Sequence, residues 1–396
     1  MNMINSMGQF FIIKYSLNNI IELSLFSSVY LYSNMLFLLI TGYLFDVFPV
    51  RRVLLSAIII SIIGGVILWY SDNLICGIIA RFLMGVGASG SFISCRKLAD
   101  GCFNKKNLGF VISIVVFIAM LGGAFAQAPI SLLVSTFGGS ITLLINLLLG
   151  MAIFILIYFL VKPKDILPLT KNNIFSVTKS VVKNPYNWLS GGYISLLNLP
   201  LMILGAIWGN LFLTYTYKIS TEKASVIILL MFAGIMVGTP FFGWFSDKCN
   251  NRVGFMLIAS IAALLLSFIL LFANDNIYLL SFLFISIGFV SGAQVLGYPI
   301  IAEHNSYETN GMANAIASII IYGVGGSLQL LFGVILNLLS KSTHVSSITF
   351  TASSLHYAMY LFPICMFINI LLIFILKYLP FKGFVVWFIP KAGQFE

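Results

Sequence analysis

Long apolar runs broken by short polar turns set the pattern of this chain. A helix needs roughly 20 apolar residues to cross about 30 Å of hydrocarbon. Runs of that size fall near 20–45, 52–70, 75–95, 108–130, 140–161, 189–214, 224–245, 253–273, 277–300, 312–338 and 356–379, and an apolar stub at 1–15 precedes them. The pattern predicts eleven full membrane spans and a shortened one, counted below as the first span. The turns are short except at 162–188, where Lys162, Pro163, Lys164, Asp165, Lys171, Lys179, Lys183 and Pro185 form the longest polar stretch. That stretch reads as a basic linker between an N-terminal bundle at 1–161 and a C-terminal bundle at 189–380, with a tail at 381–396.

Composition agrees with this and narrows it. The chain is 60% hydrophobic and 8% charged, with a mean hydropathy of +1.06. A water-soluble core of this size cannot hide so much apolar surface, whereas lipid removes the need to. The net charge of +10 does not point to nucleic acid, because the basic residues form no stripe or helical face. Most of them, among them Arg51, Arg52, Arg96, Lys97, Lys105, Lys106, Lys248, Arg252 and the linker lysines, fall in turns on one side of the spans. The positive-inside rule makes that side cytoplasmic, predicting a multi-pass protein of the plasma (inner) membrane with its C-terminus inside. The turn at 301–311, with Glu303 and Glu308, is the acidic exception. Cys76, Cys95, Cys102, Cys249 and Cys365 are scattered and form no C-x-x-C, so neither a disulfide framework nor a metal site is expected. No cofactor is expected either. An enzyme is not indicated, since no Ser/His/Asp or His/Cys set falls within reach of a shared pocket.

One turn occurs twice. Gly42-Tyr43-Leu44-Phe45-Asp46-Val47-Phe48-Pro49-Val50-Arg51-Arg52 returns, 201 positions later from Asp46 to Asp247, as Gly243-Trp244-Phe245-Ser246-Asp247-Lys248-Cys249-Asn250-Asn251-Arg252. The glycines predict close approach of a neighbouring helix, and the charges predict partners at helix ends. The first copy matches, and the second resembles with Phe245 for Leu and a single Arg, the G-x-L-x-D-x-x-x-x-R-R signature of the major facilitator superfamily. Arg81-x-x-x-Gly85-x-Gly87 is similar to that family's fourth-helix motif, whose Arg is implicated in coupling or in substrate charge. The resemblance implies an all-α major facilitator fold of two six-helix bundles rocking about a central cavity. Gly42, Asp46, Arg51, Arg52, Gly243, Asp247 and Arg252 would then latch the cytoplasmic side. Twelve spans are implied, yet the counterpart of the helix opening near Trp188 would begin about 13 residues before Met1. Either the coding sequence extends upstream, which a half-crossing helix with unsatisfied backbone favours, or the first helix is short.

Polar and aromatic residues in mid-span are the candidates for contact with a solute. Arg81 is the sharpest, with snorkelling to the nearby interface as its alternative. Asn2, Asn5 and Gln9 share one face of the first helix, either because it lines a cavity or because it lies near water. Tyr30 and Asn34 give the second span a similar face, though Tyr near a boundary also serves as an interface anchor. Gln127 lies in Gly122-Gly123-Ala124-Phe125-Ala126-Gln127-Ala128-Pro129, which departs from the family's antiporter motif and leaves antiport unsupported. Asn198, Trp208 and Asn210 of the seventh span, Gln294 and Tyr298 of the tenth, and Tyr322 and Gln329 of the eleventh complete the set. Ser291-Gly292-Ala293-Gln294 and Gly323-x-Gly325-Gly326 read first as small-residue packing faces. Glu303 and His304 are either an inner gate or proton relay, or a solvated helix end. No Asp or Glu falls in mid-span, so a coupling proton has no visible carrier. The expected function is secondary movement of a small polar or anionic solute, such as an amino acid, short peptide or carboxylate, either coupled to a proton or by facilitated diffusion, by a monomer in contact with membrane lipid. Siderophore or drug export, and a receptor without flux on the same scaffold, are the alternatives.

Overall fold

The computed structural model describes residues 3–17, 19–102, 108–161, 174–340 and 351–378. Among them ten helices are long and apolar enough to cross a bilayer, and a bent pair, Pro185–Leu197 with Leu201–Tyr217 at 42°, makes an eleventh crossing. No strand occurs among the described residues. The short first span is Met3–Lys14, followed by Ile20–Val47, Val50–Tyr70, and a fourth made of Leu74–Ala88 and Ser91–Cys102. Leu108–Phe125 and Ala128–Phe137 form the fifth, broken beside Pro129 where the sequence predicts a bend, and Gly139–Leu160 the sixth. The helix Ile174–Lys183 of the linker leads into the seventh span. Thr221–Lys248, Arg252–Leu271, Ile277–Ser291 continued to Glu303, Tyr307–Ser340, and Ala352–Ala358 continued by Leu361–Tyr378 complete the order.

Asparagine marks several of the starts. Asn73 Oδ1 accepts from the Ile75 amide at 2.8 Å, Asn276 from Tyr278 at 2.9 Å and Asn251 from Gly254 at 2.9 Å. Each cap satisfies an amide that the first helical turn leaves without a partner. The ends of the spans that carry Asp46–Arg52 and Asp247–Arg252 define what is here called the basic face, and the opposite ends the far face.

Small residues set how closely the spans approach. A Cβ on Gly85 would collide with Ser33 Oγ and the Tyr30 carbonyl, and one on Gly87 with Ser61 and the Ala57 carbonyl, so the fourth span lies directly against the second and third. Gly234 and Gly238 face Gly288 and Gly292 across the eighth and tenth spans, and each would drive a Cβ into the partner's backbone. A Gly238→Val protein, its new methyls meeting the Phe289 backbone, is expected to lose about 1–3 kcal/mol, read as a lowered Tm of the detergent-solubilised chain. The close approach expected at the repeated turns is not made. The nearest atom to a Cβ on Gly42 would be Ile93 Cδ1 at 3.9 Å, and nothing lies within 4 Å at Gly243. Both sit at span ends that no neighbouring backbone reaches in this arrangement.

The two halves of the chain meet where the second span runs along the eleventh, the first along the seventh, and the fifth along the eighth. The hydrogen bonds that join them involve residues 5, 24–32 and 127 on one side, and 205, 210 and 327–329 on the other. Apart from residue 5, in the short first span, these positions lie in the half of their spans nearer the far face.

Candidate functional site

The bend in the seventh span organises the polar centre. Pro200 cannot donate a backbone hydrogen bond, so the ladder breaks after Asn198 and resumes as a π-helix over Leu201–Trp208. Its last rung joins the Gly209 amide to the Leu204 carbonyl. The next pair at the same five-residue step, the Gly205 carbonyl and the Asn210 amide, is joined through two side chains of the other half. The Asn210 N–H donates to Asn5 Oδ1 at 3.0 Å, Asn5 Nδ2 donates to Gln127 Oε1 at 2.9 Å, and Gln127 Nε2 donates to the Gly205 carbonyl at 2.9 Å. Asn210 Nδ2 returns a bond to the Asn5 carbonyl at 2.9 Å, and Ser225 donates to Asn210 Oδ1 at 3.2 Å. Asn5 and Gln127 thus act as an amide clasp on the opened backbone.

A second clasp lies beside it. Gln329 Nε2 donates to Ser27 Oγ at 3.1 Å and to the Met202 carbonyl of the π-helix at 3.2 Å. Ser28 donates to Gln329 Oε1 at 3.3 Å, and Ser24 to the Gln329 carbonyl at 2.9 Å. Gln127 and Gln329 are both fully buried. Trp208, also fully buried, packs on Phe332 with ring centroids 5.5 Å apart. The sequence reading did not include Ser24, Ser27 and Ser28; their spacing on one helical face is the signal that could have shown them.

Arg81 does not snorkel. It is 2% exposed, with Nε on the Phe26 carbonyl at 3.3 Å and Nη2 on the Ser27 carbonyl at 3.4 Å. Its guanidinium lies 4.8 Å from the ring centroid of Tyr30 and 5.7 Å from that of Phe26. No carboxylate of the described residues pairs with it. Of the phenols Tyr30, Tyr298 and Tyr322 on the second, tenth and eleventh spans, Tyr30 is the one that lies against this cation. Tyr298 is 38% exposed although it lies well inside its span, and Gln294 is half-buried one turn away. Asn34 and Asn198, both buried, leave Oδ1 without a hydrogen-bond partner among the described residues. Gln9 is exposed and belongs to a separate cleft toward the far face. Asn2 lies outside the described residues.

At the basic face, Arg252 binds Asp247 through Nε at 3.1 Å and Nη2 at 2.8 Å, and its Nη1 pairs with Glu303. Asp247 stands in the last turn of one helix and Arg252 opens the next, each the unfavoured charge for its helix end, and the pair offsets both. Glu303 is therefore not merely a solvated end: it ties the tenth span to the turn between the eighth and ninth. The first copy differs. Arg51 donates to the Tyr158 carbonyl at 2.6 Å and lies 4.9 Å from that ring, while Lys97 donates to the Phe45 carbonyl at 2.8 Å, capping the second span. Asp46 falls in the last turn of that span, but its side chain lies outside what is described. His304 stacks on Tyr186 at 3.7 Å between ring centroids, and Asn187 and Asn305 exchange bonds of 3.2 and 2.6 Å. Since the Arg252 triad is largely exposed, Arg252→Ala is expected to cost less than about 1 kcal/mol, a Tm change close to the error of a thermal scan.

The Major Facilitator Superfamily model matches residues 1–328. The chain belongs to the major facilitator superfamily. As a member it is a multi-pass membrane protein of a family of solute transporters. The membrane sensor protein UhpC of Escherichia coli (strain K12) is 32% identical over 167 residues, 40% of this chain and 36% of UhpC. That similarity thus spans about a third of the relative's length. Crystal structures of a bacterial homolog of the human lysosomal transporter Spinster share the fold. The inward-facing, occupied form superposes with a TM-score of 0.74 at 14% identity, covering 95% of this chain and 92% of that one. The inward-facing, unoccupied form gives 0.71 at 16% identity, covering 94% and 92%.

Proposed function

We propose that this chain is a secondary transporter of a small anionic solute, such as an amino acid, short peptide or carboxylate, and that it works by alternating access. The observation that carries the reading is Arg81: a cation withdrawn from water, without a carboxylate partner among the described residues, beside the Tyr30 phenol. An isolated charge in a low-dielectric site is costly, and an anion entering beside it recovers part of that cost while the Tyr30 phenol supplies a hydrogen bond. Asn34 and Gln294 are the adjoining amides in this reading. The basic face is cytoplasmic, and the two clasps hold the far side shut, giving an arrangement open to the cytoplasm. The likeness to two inward-facing structures supports that assignment, and the Asp247–Arg252–Glu303 triad belongs to the cytoplasmic latch.

Proteoliposomes loaded with labelled amino acids and dicarboxylates, with and without a pH gradient, test the proposal. Saturable flux of an anionic solute is expected, and a proton gradient that drives accumulation would identify the coupling ion. Flux restricted to lipophilic cations would overturn the anionic reading and favour drug export. The similarity to UhpC, a membrane sensor, supports a second reading in which the Arg81 site binds its solute without moving it. Saturable binding in nanodiscs with no flux in liposomes separates that receptor from a carrier.

A further inference from the structure

A cavity separate from the Arg81 cluster lies toward the far face between the first, fifth, seventh and eighth spans. Its volume is ≈ 420 Å³, within the range of about 300–1,000 Å³ usual for small-molecule sites. The floor is the amide clasp itself, since Asn5 and Asn210 both line it. Hydroxyls of Ser131, Thr214, Ser220 and Thr221 form its walls, and Gln9 and Glu222 stand at its mouth. Ser131 is 4% exposed, and its hydroxyl makes no hydrogen bond among the described residues. Glu222, exposed in the first turn of its helix, pairs with no cation there either. Lys14, which lies 5.9 Å from the Phe10 ring at the cavity edge, is already held by Asp72 at 3.3 Å and by the Trp69 carbonyl at 2.8 Å.

We infer that this cleft is a binding site for a small hydroxylated ammonium compound, its amine on Glu222 and its hydroxyls on the serine and threonine wall. Glu222, which no ion pair among the described residues engages although Lys218 and Lys223 flank its turn, selects the charge, and the hydroxyls select a polar rather than a lipophilic body. The walls come from both halves of the chain, so the ligand bridges them directly above the clasp. A ligand that fits only the clasped arrangement favours that arrangement, which makes the site regulatory: occupancy holds the far side closed.

The test uses the full chain in nanodiscs, where both faces are open to solution, with D-glucosamine as probe and D-glucose as its neutral match. Calorimetry is expected to show saturable glucosamine binding, weakened roughly tenfold or more by Glu222→Gln, a loss of the size expected for a hydrogen bond to a charged group. Binding should survive Arg81→Ala, which separates this cleft from the proposed transport site. Independently, glucosamine should slow maleimide labelling of a Gln9→Cys protein while glucose leaves it unchanged. Equal effects of the two sugars, undiminished binding by the folded Glu222→Gln protein, or no binding of glucosamine would each overturn the assignment.

Discussion

Arg81→Ala is expected to lower solute flux by at least about 100-fold while leaving the amount and the Tm of folded protein nearly unchanged. The two outcomes come from one geometry. The guanidinium contributes little to holding the fold: its contacts are two bonds of 3.3 and 3.4 Å to carbonyls within a helix and the faces of Tyr30 and Phe26. Burying a charge without a counter-charge costs stability, and removing it relieves that cost as it forfeits the contacts. For an anionic solute the balance is opposite. A charge-assisted bond is worth about 1.5–3 kcal/mol, and two donors of one planar fork reach the factor stated, at about 1.4 kcal/mol per tenfold. Arg81→Lys should recover only part of the flux, because a single ammonium keeps the charge and loses the fork. Uptake into proteoliposomes beside a thermal scan decides the matter. Unchanged flux would remove Arg81 from the solute path, and a collapsed Tm would make it a packing residue.

The spans, their order and the duplicated turn were legible from the residues because lipid imposes a length and a polarity on every crossing. The break in the fifth span was legible for the same reason as any proline bend. The π-helix was not: Pro200 alone announces a bend, and only tertiary partners decide whether the freed carbonyls rewind or are taken by side chains. Asn5, Gln127, Asn210 and Gln329 were legible as mid-span amides needing partners, but a sequence cannot distinguish a partner in the protein from a solute. Here they find each other, the π-helix backbone and a row of serines. Serine in a helix commonly bonds its own backbone, so Ser24, Ser27 and Ser28 carried little signal individually. Gly42 and Gly243 carried too much: a glycine permits close approach without requiring it in every arrangement of the helices. Gly234, Gly238 and Gly288, by contrast, do seat one backbone on another.

The paired replacement Gln127→Leu with Gln329→Leu is expected to open the far side, raising the maleimide labelling rate of a Ser131→Cys reporter, at a position 4% exposed in the closed arrangement, by about 10- to 100-fold. Leucine fills nearly the same volume as glutamine, so the change removes hydrogen bonds rather than packing. Gln127 gives up one bond to the Gly205 carbonyl and one from Asn5. Gln329 gives up bonds to Ser27 and to the Met202 carbonyl, and one from Ser28. Hydrogen bonds between membrane helices average about 0.6 kcal/mol and reach about 1.7, and the three of these that cross between the halves, to Gly205, to Ser27 and from Ser28, sum to about 2 kcal/mol. Met202 and Gly205 belong to a π-helix that lacks an ordinary ladder, so their carbonyls then seek water, which the far side supplies only if the halves part. The loss falls on the closed arrangement and spares the open one, and a differential of that size moves a two-state population by the factor stated. A folded protein with faster labelling and slower flux is the expected outcome. A lower Tm with unchanged labelling would make the two glutamines parts of a fixed core, not of a gate.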